Sequence, residues 1–390
     1  RQFGIEVERQ TELTEFIEER GAIAARLRKA DGSSELCKAK YLAGCDGARS
    51  LVRESLKLGF PGGTYHHVFY VADVEGSGAA IDGELHIDLD DADFLAVFPL
   101  AGAGRARFVG STRDVSPEDS AKLSFADINK RAIEQLKLAV DKVNWFSTYH
   151  VHHRVVDHFR QGRAFLLGDA AHIHSPVGGQ GMNTGIGDAI NLAWKLAATL
   201  AGKAPDSLLD SYEAERIAFA RRLVATTDRV FNVVSSDGKL AGLVRTRIAP
   251  AVLGSLISIG FVRNLLFRLV SQIELNYRGR PLSLGRAGDV HGGDRLAWVK
   301  TADGDNHAPL SAMRWQAHIY GVAGGALVAW CKDRGLPLHV FAWRPEYAKA
   351  GLAHNALYLM RPDGYVALAE ATADPTVLER YLTERGLRID

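Results

Sequence analysis

Cysteine is scarce in this chain: Cys37, Cys45 and Cys331 are the only three among 390 residues. Three thiols with no CxxC pair exclude a disulfide framework, thioredoxin-type exchange and a zinc ribbon. Their scarcity fits a reducing, cytoplasmic setting. A charge excess is also missing. Lys+Arg 47 against Asp+Glu 46 leaves a net charge of +1. Nucleic-acid binders and anionic-membrane binders carry a marked basic excess, so neither partner is expected. No apolar run is long enough to cross a bilayer. The stretch from Ile248 to Val262 is 15 residues, against roughly 20 needed, and it reads as a buried helix. Internal repeats and low-complexity tracts are absent. So are an initiating Met and a signal-peptide pattern at Arg1-Gln2-Phe3-Gly4.

What is present is globular material. Hydrophobic residues make up 47% and charged residues 24%, a composition that buries a large core. At about 150 residues per domain the length predicts two or three domains. Residues 4 to 45 alternate as a β-meander, with Asp31-Gly32 as a turn and Ala39 to Cys45 as a short strand running into Asp46-Gly47. Strands are expected at 68–72, 84–88, 94–100, 107–110 and 145–156. A helix is expected from about Phe125 to Val140. Arg163 to Leu167 is a buried strand ending at Gly168-Asp169. A Gly-rich loop follows from His174 to Gly187, then an apolar helix from Asp188 to Ala201 with Gly202 past its end. Helical patterns cover 208–234 and 248–275. From about 291 an α/β segment carries apolar runs at 326–330, 338–342, 356–360 and 365–368. Arg361-Pro362-Asp363-Gly364 joins the last two as a hairpin, and a final helix runs from about Thr376 to Arg385.

The chemistry concentrates in Gly168-Asp169-Ala170-Ala171-His172 and in Ser175-Pro176-Val177-Gly178-Gly179-Gln180-Gly181-Met182-Asn183. A carboxylate at a strand end accepts hydrogen bonds from sugar hydroxyls. Glycines let backbone approach a flat ligand. The N-terminus of the following helix favours an anion, and a reduced flavin is anionic at the pyrimidine end of its ring. A structural Gly-rich loop with no ligand is the alternative reading of the same spacing.

The run from Gly168 to Leu196 resembles the GD motif and helix of class A FAD-dependent aromatic monooxygenases, of the para-hydroxybenzoate and phenol hydroxylase type. Tyr41 to Arg53, around Asp46-Gly47-Ala48-Arg49, resembles the family's DG motif. Ser211 to Arg216 resembles its post-GD helix. The tail around Tyr358 to Leu368 is similar to the thioredoxin-like domain of the phenol and polyketide hydroxylase branches. The resemblance implies an α/β (α+β) chain with an FAD-binding Rossmann-like domain, a β-sheet substrate domain and a C-terminal thioredoxin-like domain. It implies FAD as cofactor, NAD(P)H as co-substrate, O₂ and a phenolic or polyketide-like aromatic substrate, with hydroxylation through a flavin C4a-hydroperoxide. A homodimer is compatible with it. It assigns cofactor contacts to Asp46, Arg49, Gly168, Asp169, Pro176, Gly178, Gly179, Gln180, Gly181, Met182 and Asn183. His86, Phe98 and Pro99 are candidates for the substrate wall. No catalytic acid or base and no metal site is assigned.

The implied domains are 1–59 with 157–205 for FAD, 60–156 for substrate, a helical connection over 206–285, and 291–390. The family's opening GxGxxG unit is not among these residues, so the natural N-terminus is expected upstream of Arg1. The rivals are an FAD-deficient scaffold that binds a ligand or partner, and an epoxidase or reductase of the same fold. His150, His152 and His153 share a strand but lack a further ligand pattern for a metal. His172 is expected as a structural partner, Trp145 and Trp194 as core, and Glu213/Glu215/Arg216 as a solvated helix face.

Overall fold

The computed structural model describes residues 4–89, 94–112, 122–128, 130–174, 179–235, 260, 267–268 and 271–389. The apolar stretch 248–262, apart from residue 260, and Pro176, Val177 and Gly178 lie outside the described residues.

The meander forms where the alternation has partners. β1 (Glu12–Glu19), β2 (Ala22–Arg28) and β3 (Ser34–Ala39) make an antiparallel sheet in that order. The β1–β2 turn is Arg20-Gly21, with φ of 48° and 78°. Two positive φ values give the tight turn whose twist matches a hairpin. Residues 4–8 alternate as well, yet form no strand, since alternation alone does not make a ladder. β4 (Leu42–Gly44) then leads to the single-turn helix α1 (Leu51–Ser55).

The next unit is β5 (Gly62–Ser77), β6 (His86–Leu89), β7 (Phe94–Pro99), β8 (Arg105–Thr112), α2 (Arg131–Gln135) and β9 (Ala139–Val155). β10 (Arg160–Gln161), β11 (Ala164–Leu166) and β12 (His172–Ile173) follow. One six-stranded sheet runs β12-β9-β5-β8-β7-β6. The helix expected over 125–140 is reduced to α2. Lys137 turns out of it at φ 51°, and Ala139 already pairs with Ser77. The long β5–β9 ladder overrides local helix propensity there. On one face Tyr70, Leu95, Val97 and Phe108 pack on Ile128, Ala132 and Ile133. On the other, Tyr65, Phe69 and Val151 cluster with Phe94 and Tyr149.

Two long helices come next, α3 (Gly181–Leu200) and α4 (Asp210–Ser235). The C-terminal unit contains β13 (Leu284–Ala287), β14 (Val290–His291), β15 (Lys300–Thr301), β16 (Gly304–Asp305) and β17 (Gln316–Tyr320). It continues with α5 (Gly325–Asp333), β18 (Leu338–Phe341), α6 (Pro345–Lys349), β19 (Leu357–Met360), β20 (Val366–Glu370) and α7 (Pro375–Glu384). Its main sheet has the order β14-β13-β20-β19-β17-β18, with β17 parallel to β18 and antiparallel to β19. The apolar run 326–330 lies in α5, with Leu327 and Cys331 buried one turn apart. β19 and β20 form the expected hairpin across Arg361–Tyr365. Asp374 caps α7, accepting from the Thr376 N–H at 2.8 Å, with Pro375 in the first turn.

The C-terminal sheet is fastened to the long helices by buried charges. Arg361 grips Glu215 with both terminal nitrogens, at 2.6 and 2.9 Å. Lys195 Nζ donates to the same carboxylate at 2.8 Å and to Asn191 Oδ1 at 2.7 Å. Asp363 accepts from Arg361 at 2.6 Å and from the Trp194 indole at 3.0 Å. The expected solvated face at Glu215 and Arg216 is therefore corrected: both are buried. Glu213 alone is part-exposed, and it accepts from the Phe159 N–H at 2.7 Å. Trp194 is core as expected, whereas Trp145 is 49% exposed, lying under the Arg107 guanidinium at the sheet surface.

Burial would raise the Glu215 carboxyl, but the Arg361 and Lys195 charges outweigh it and hold the group at about 2. The folded value lies below the unfolded one, so this contribution is whole above about pH 4.3. It disappears as pH falls toward about 2. Urea denaturation should show Glu215→Ala losing about 3–5 kcal/mol, because two buried cations lose their partner. Glu215→Gln should flatten the acid side of the stability-versus-pH curve. An acid limb unchanged from wild type would contradict the assignment.

Candidate functional site

β4 and β11 are parallel neighbours, with Gly44 opposite Leu166. Their carboxyl ends release Cys45-Asp46-Gly47 and Gly168-Asp169 side by side. Ligands of open α/β sheets bind at such strand ends. The two motifs, over a hundred residues apart in sequence, thus reach one place because two short strands pair.

The Asp46 turn is self-contained. Asp46 Oδ1 accepts from Ser50 Oγ at 2.6 Å and its Oδ2 from the Val52 N–H at 3.0 Å. Ser50 Oγ in turn caps α1 by accepting from the Arg53 N–H at 3.0 Å. Both Asp46 oxygens therefore serve the turn. Arg49 is exposed and makes no hydrogen bond or ion pair to a described residue. Arg53, which sequence reasoning passed over, joins the motifs. Its buried guanidinium donates to Ala170 O at 3.1 Å and Ala48 O at 2.8 Å, and lies 4.0 Å from the centre of the Phe60 ring.

The Gly168 turn is held from beneath by α3. Asp188 Oδ2 accepts from the Gly168 N–H at 3.0 Å and from His172 Nε2 at 2.7 Å. Arg216 Nε donates to Asp188 Oδ1 at 2.6 Å. Burial would raise the Asp188 carboxyl, yet Arg216 and His172 keep it below the usual carboxylate range. His172 is the structural partner expected, with its ring stacked on Phe159. Asp169 is different: it is exposed, and no described residue donates to its carboxylate.

The Gly-rich loop is shorter than expected, because α3 begins at Gly181 rather than Asp188. Gly185 lies against the turn, where an added Cβ would stand 3.3 Å from Gly168 Cα. At Gly187 a Cβ would meet Arg216 Nη2 at 3.2 Å. Close packing, and not loop freedom, explains these two glycines. A buried polar stripe of Thr184, Asp188, Asn191 and Lys195 runs down an otherwise apolar helix. Its spacing of four, three and four is the signal that could have exposed the network from sequence.

Pro176 and Gly178 lie outside the described residues. Gly179 has φ 62° with open space where a Cβ would stand. Gln180 precedes α3, Gly181 opens it, and Met182 (75% exposed) and Asn183 project from its first turn. The substrate-wall candidates are not brought together. His86 pairs with Val97 and so shares the α2-packed face; it bonds Asp82 Oδ1 at 2.8 Å. Phe98, 40% exposed, lies on the opposite face, and Pro99 ends the strand in solvent. That opposite face carries the aromatic cluster. Phe69 lies 6.0 Å from Phe94 and 5.7 Å from Tyr149 between ring centres. Burial pushes the Tyr149 phenol up to about 12. Tyr149 and Val151 stand on β9 just before Arg154 and Val155, which pair with Ile173 and His172. Among the described residues no group of three His, Cys, Asp or Glu could hold a metal ion. His152 instead meets Thr64 Oγ1 at 2.7 Å. No helix of the described residues is long and apolar enough to cross a membrane.

These groups fit FAD. Asp169 offers an unengaged acceptor, and Gly47 and Gly179 present backbone with no atom crowding the Cβ position. The N–H groups of 181–183 precede the first backbone bond of α3, Thr184 N to Gln180 O at 2.9 Å. The arrangement is that of a flavoprotein.

Comparison with known proteins agrees. A family model described as an FAD binding domain matches residues 1–227. A flavin-dependent monooxygenase from Mycobacteroides abscessus is 32% identical over 394 residues, covering 97% of this chain and 74% of that protein. A 6-methylpretetramide 4-monooxygenase from Streptomyces rimosus is 31% identical over 412 residues, covering 97% and 72%. The solved anhydrotetracycline hydroxylase OxyS from Streptomyces rimosus matches with a TM-score of 0.73 at 28% identity, over 100% of this chain and 77% of that one. The chain belongs to this FAD-binding-domain family and is an FAD-dependent monooxygenase.

Gly185→Val tests the packing of α3 on the Gly168 turn. The branched side chain should force the two apart and lower stability by about 1–3 kcal/mol in denaturant titration. Wild-type stability would mean that the helix does not need this approach.

Proposed function

We propose that the protein hydroxylates a phenolic or fused-ring, polyketide-like aromatic compound, with NAD(P)H as reductant and O₂ as oxygen source. The observation that carries the reading is the convergence of an unengaged Asp169, open glycine backbone and the α3 N-terminus at one sheet end. The names of relatives support the substrate class, since those proteins act on 6-methylpretetramide and pentachlorophenol.

FAD, when bound, supplies the redox chemistry, accepting hydride and activating oxygen. The chain supplies position and charge. Asp169 would accept from ribitol hydroxyls, and Arg49 would meet the pyrophosphate. Gly179, Gln180, Gly181, Met182 and Asn183 would line the ring, as the family resemblance implies for them together with Pro176 and Gly178. The first-turn N–H groups of α3 favour negative charge at the pyrimidine end. The aromatic face of Phe69, Phe94 and Tyr149, joined to the Gly168 turn through the β9–β12 ladder, forms the apolar side that receives substrate and excludes water. The C-terminal unit is thioredoxin-like, as the order β18-β17-β19-β20 with one antiparallel hairpin supports. Without a cysteine pair it works by packing and not by exchange.

Asp169→Ala should weaken FAD binding about tenfold or more, the worth of a charge-assisted hydrogen bond; flavin fluorescence quenching measures it. Turnover of an anhydrotetracycline-type substrate under ¹⁸O₂ with NAD(P)H should give product carrying one labelled oxygen. Unlabelled product at full NAD(P)H consumption would sink the hydroxylase reading.

A further inference from the structure

The first turns of α3 are held by a part of the chain that lies far from the cofactor loop in sequence. Arg216 Nη2 donates to Thr184 O at 3.0 Å, and Nη1 donates to the Tyr277 hydroxyl at 3.0 Å. The same guanidinium grips Asp188 through Nε. Gln272 Nε2 donates to Thr184 Oγ1 at 3.0 Å and lies 3.4 Å from Gln180 Oε1, beside the helix start. The Tyr277 ring packs on Tyr365, with 4.4 Å between centres. Arg361 covers both rings at 5.3 and 5.7 Å while it forks onto Glu215, the neighbour of Arg216 on α4. A continuous buried path thus runs from the Gly168 N–H through Asp188, Arg216, Tyr277 and Arg361 to Glu215.

A second observation bears on the same turns. Glycines stand at 181, 185 and 187 in α3, and glycine is the weakest helix former after proline. The start of α3 is therefore only weakly secured by its own residues, through the Thr184 N–H and Oγ1 bonds to Gln180 O at 2.9 and 2.8 Å. Its order comes from the contacts made by Gln272, Arg216 and the Gly168 turn.

We propose that the connecting segment at 272–277, backed by the 361–365 turn of the C-terminal unit, is a positioning element for the flavin site. Gln272, Tyr277 and Arg361 fix the N-terminus of α3 through Thr184 and Arg216, so affinity for FAD and its reduction potential depend on residues that never meet it. This rests on the reading that the 168–183 loop holds FAD. Coupling of this kind is reciprocal. FAD must therefore tighten the segments around 272–277 and 361–366 as well as its own loop.

Tyr277→Phe and Gln272→Ala leave every buried ion pair in place, so both variants should fold. In the full-length protein each should weaken FAD binding about fivefold. Each should also make the flavin potential more negative, since the N–H groups that favour the reduced anion become less ordered. Hydrogen exchange supplies a test that needs no variant: adding FAD to the wild type should slow exchange at 272–277 and 361–366. Variants that lose thermal stability while keeping wild-type affinity and potential would reduce the clamp to a structural role and overturn the proposal. So would exchange at 361–366 that ignores FAD. Asp169→Ala separates the two ideas. If FAD binding falls in Asp169→Ala but not in Tyr277→Phe, the clamp alone fails. If Asp169→Ala binds FAD like the wild type, the loop assignment itself fails.

Discussion

Charges taken out of water between α3, α4 and the turn at 361–363 set the terms for the rest of this structure. Three acids, Asp188, Glu215 and Asp363, meet three bases, Lys195, Arg216 and Arg361, all with buried side chains. Each ion would cost several kcal/mol alone, so the set holds only if signs and hydrogen bonds close together. They do. Glu215 takes bonds from Arg361, Lys195 and Asn191, and Asp188 takes them from Gly168, His172 and Arg216. Burial pushes Lys195 down to about 8, with Glu215 supporting its charge and Arg361 opposing it. The acid therefore gains from the arrangement and the ammonium tolerates it. Apolar packing of equal volume would hold these elements as firmly. What charge adds is register: a fork of two bonds fixes the 361–363 turn on α4 in a single orientation.

That constraint was the least legible part of the sequence. Glu213, Glu215 and Arg216 stand in a charged stretch of a long helix, where solvated faces are the rule. Burial there is decided by β19, β20 and their turn, nearly 150 residues downstream, which no local window contains. Strands fared better because their signal is local. Alternation and the Asp-Gly and Arg-Pro-Asp-Gly turns located the meander and the last hairpin within a few residues. The helix expected over 125–140 failed for the opposite reason. Its apolar spacing suits a helix, but β5 offered residues from 139 a ladder thirteen pairs long.

Glycine carried two meanings that the sequence does not separate. At Gly179 it gives positive φ and open backbone, as expected of a ligand loop. At Gly185 and Gly187 it lets a helix touch a turn and a guanidinium. The same Gly-rich stretch therefore reads as one loop by composition and divides into loop and helix in three dimensions. The division places the helix N-terminus nearer to Asp169 in sequence than the loop reading allowed, which strengthens the case for an anion there.

Three aspartates stand beside glycines at or near the site. Asp46-Gly47, Gly168-Asp169 and Gly187-Asp188 look alike on paper. Asp46 turns both oxygens inward to build the α1 cap, and Asp188 is saturated by three donors underground. Only Asp169 among them keeps its carboxylate exposed and without a donor among the described residues. A carboxylate already bonded on both oxygens has little left to give a ligand, while a free one at a strand end, ringed by ordered neighbours, gives its full strength. The two committed aspartates are what make the third available: one shapes the turn beside it, the other pins the glycine before it. Binding capacity here follows from which acceptors the fold has left over, and that is a property of the assembled network that no single motif contains.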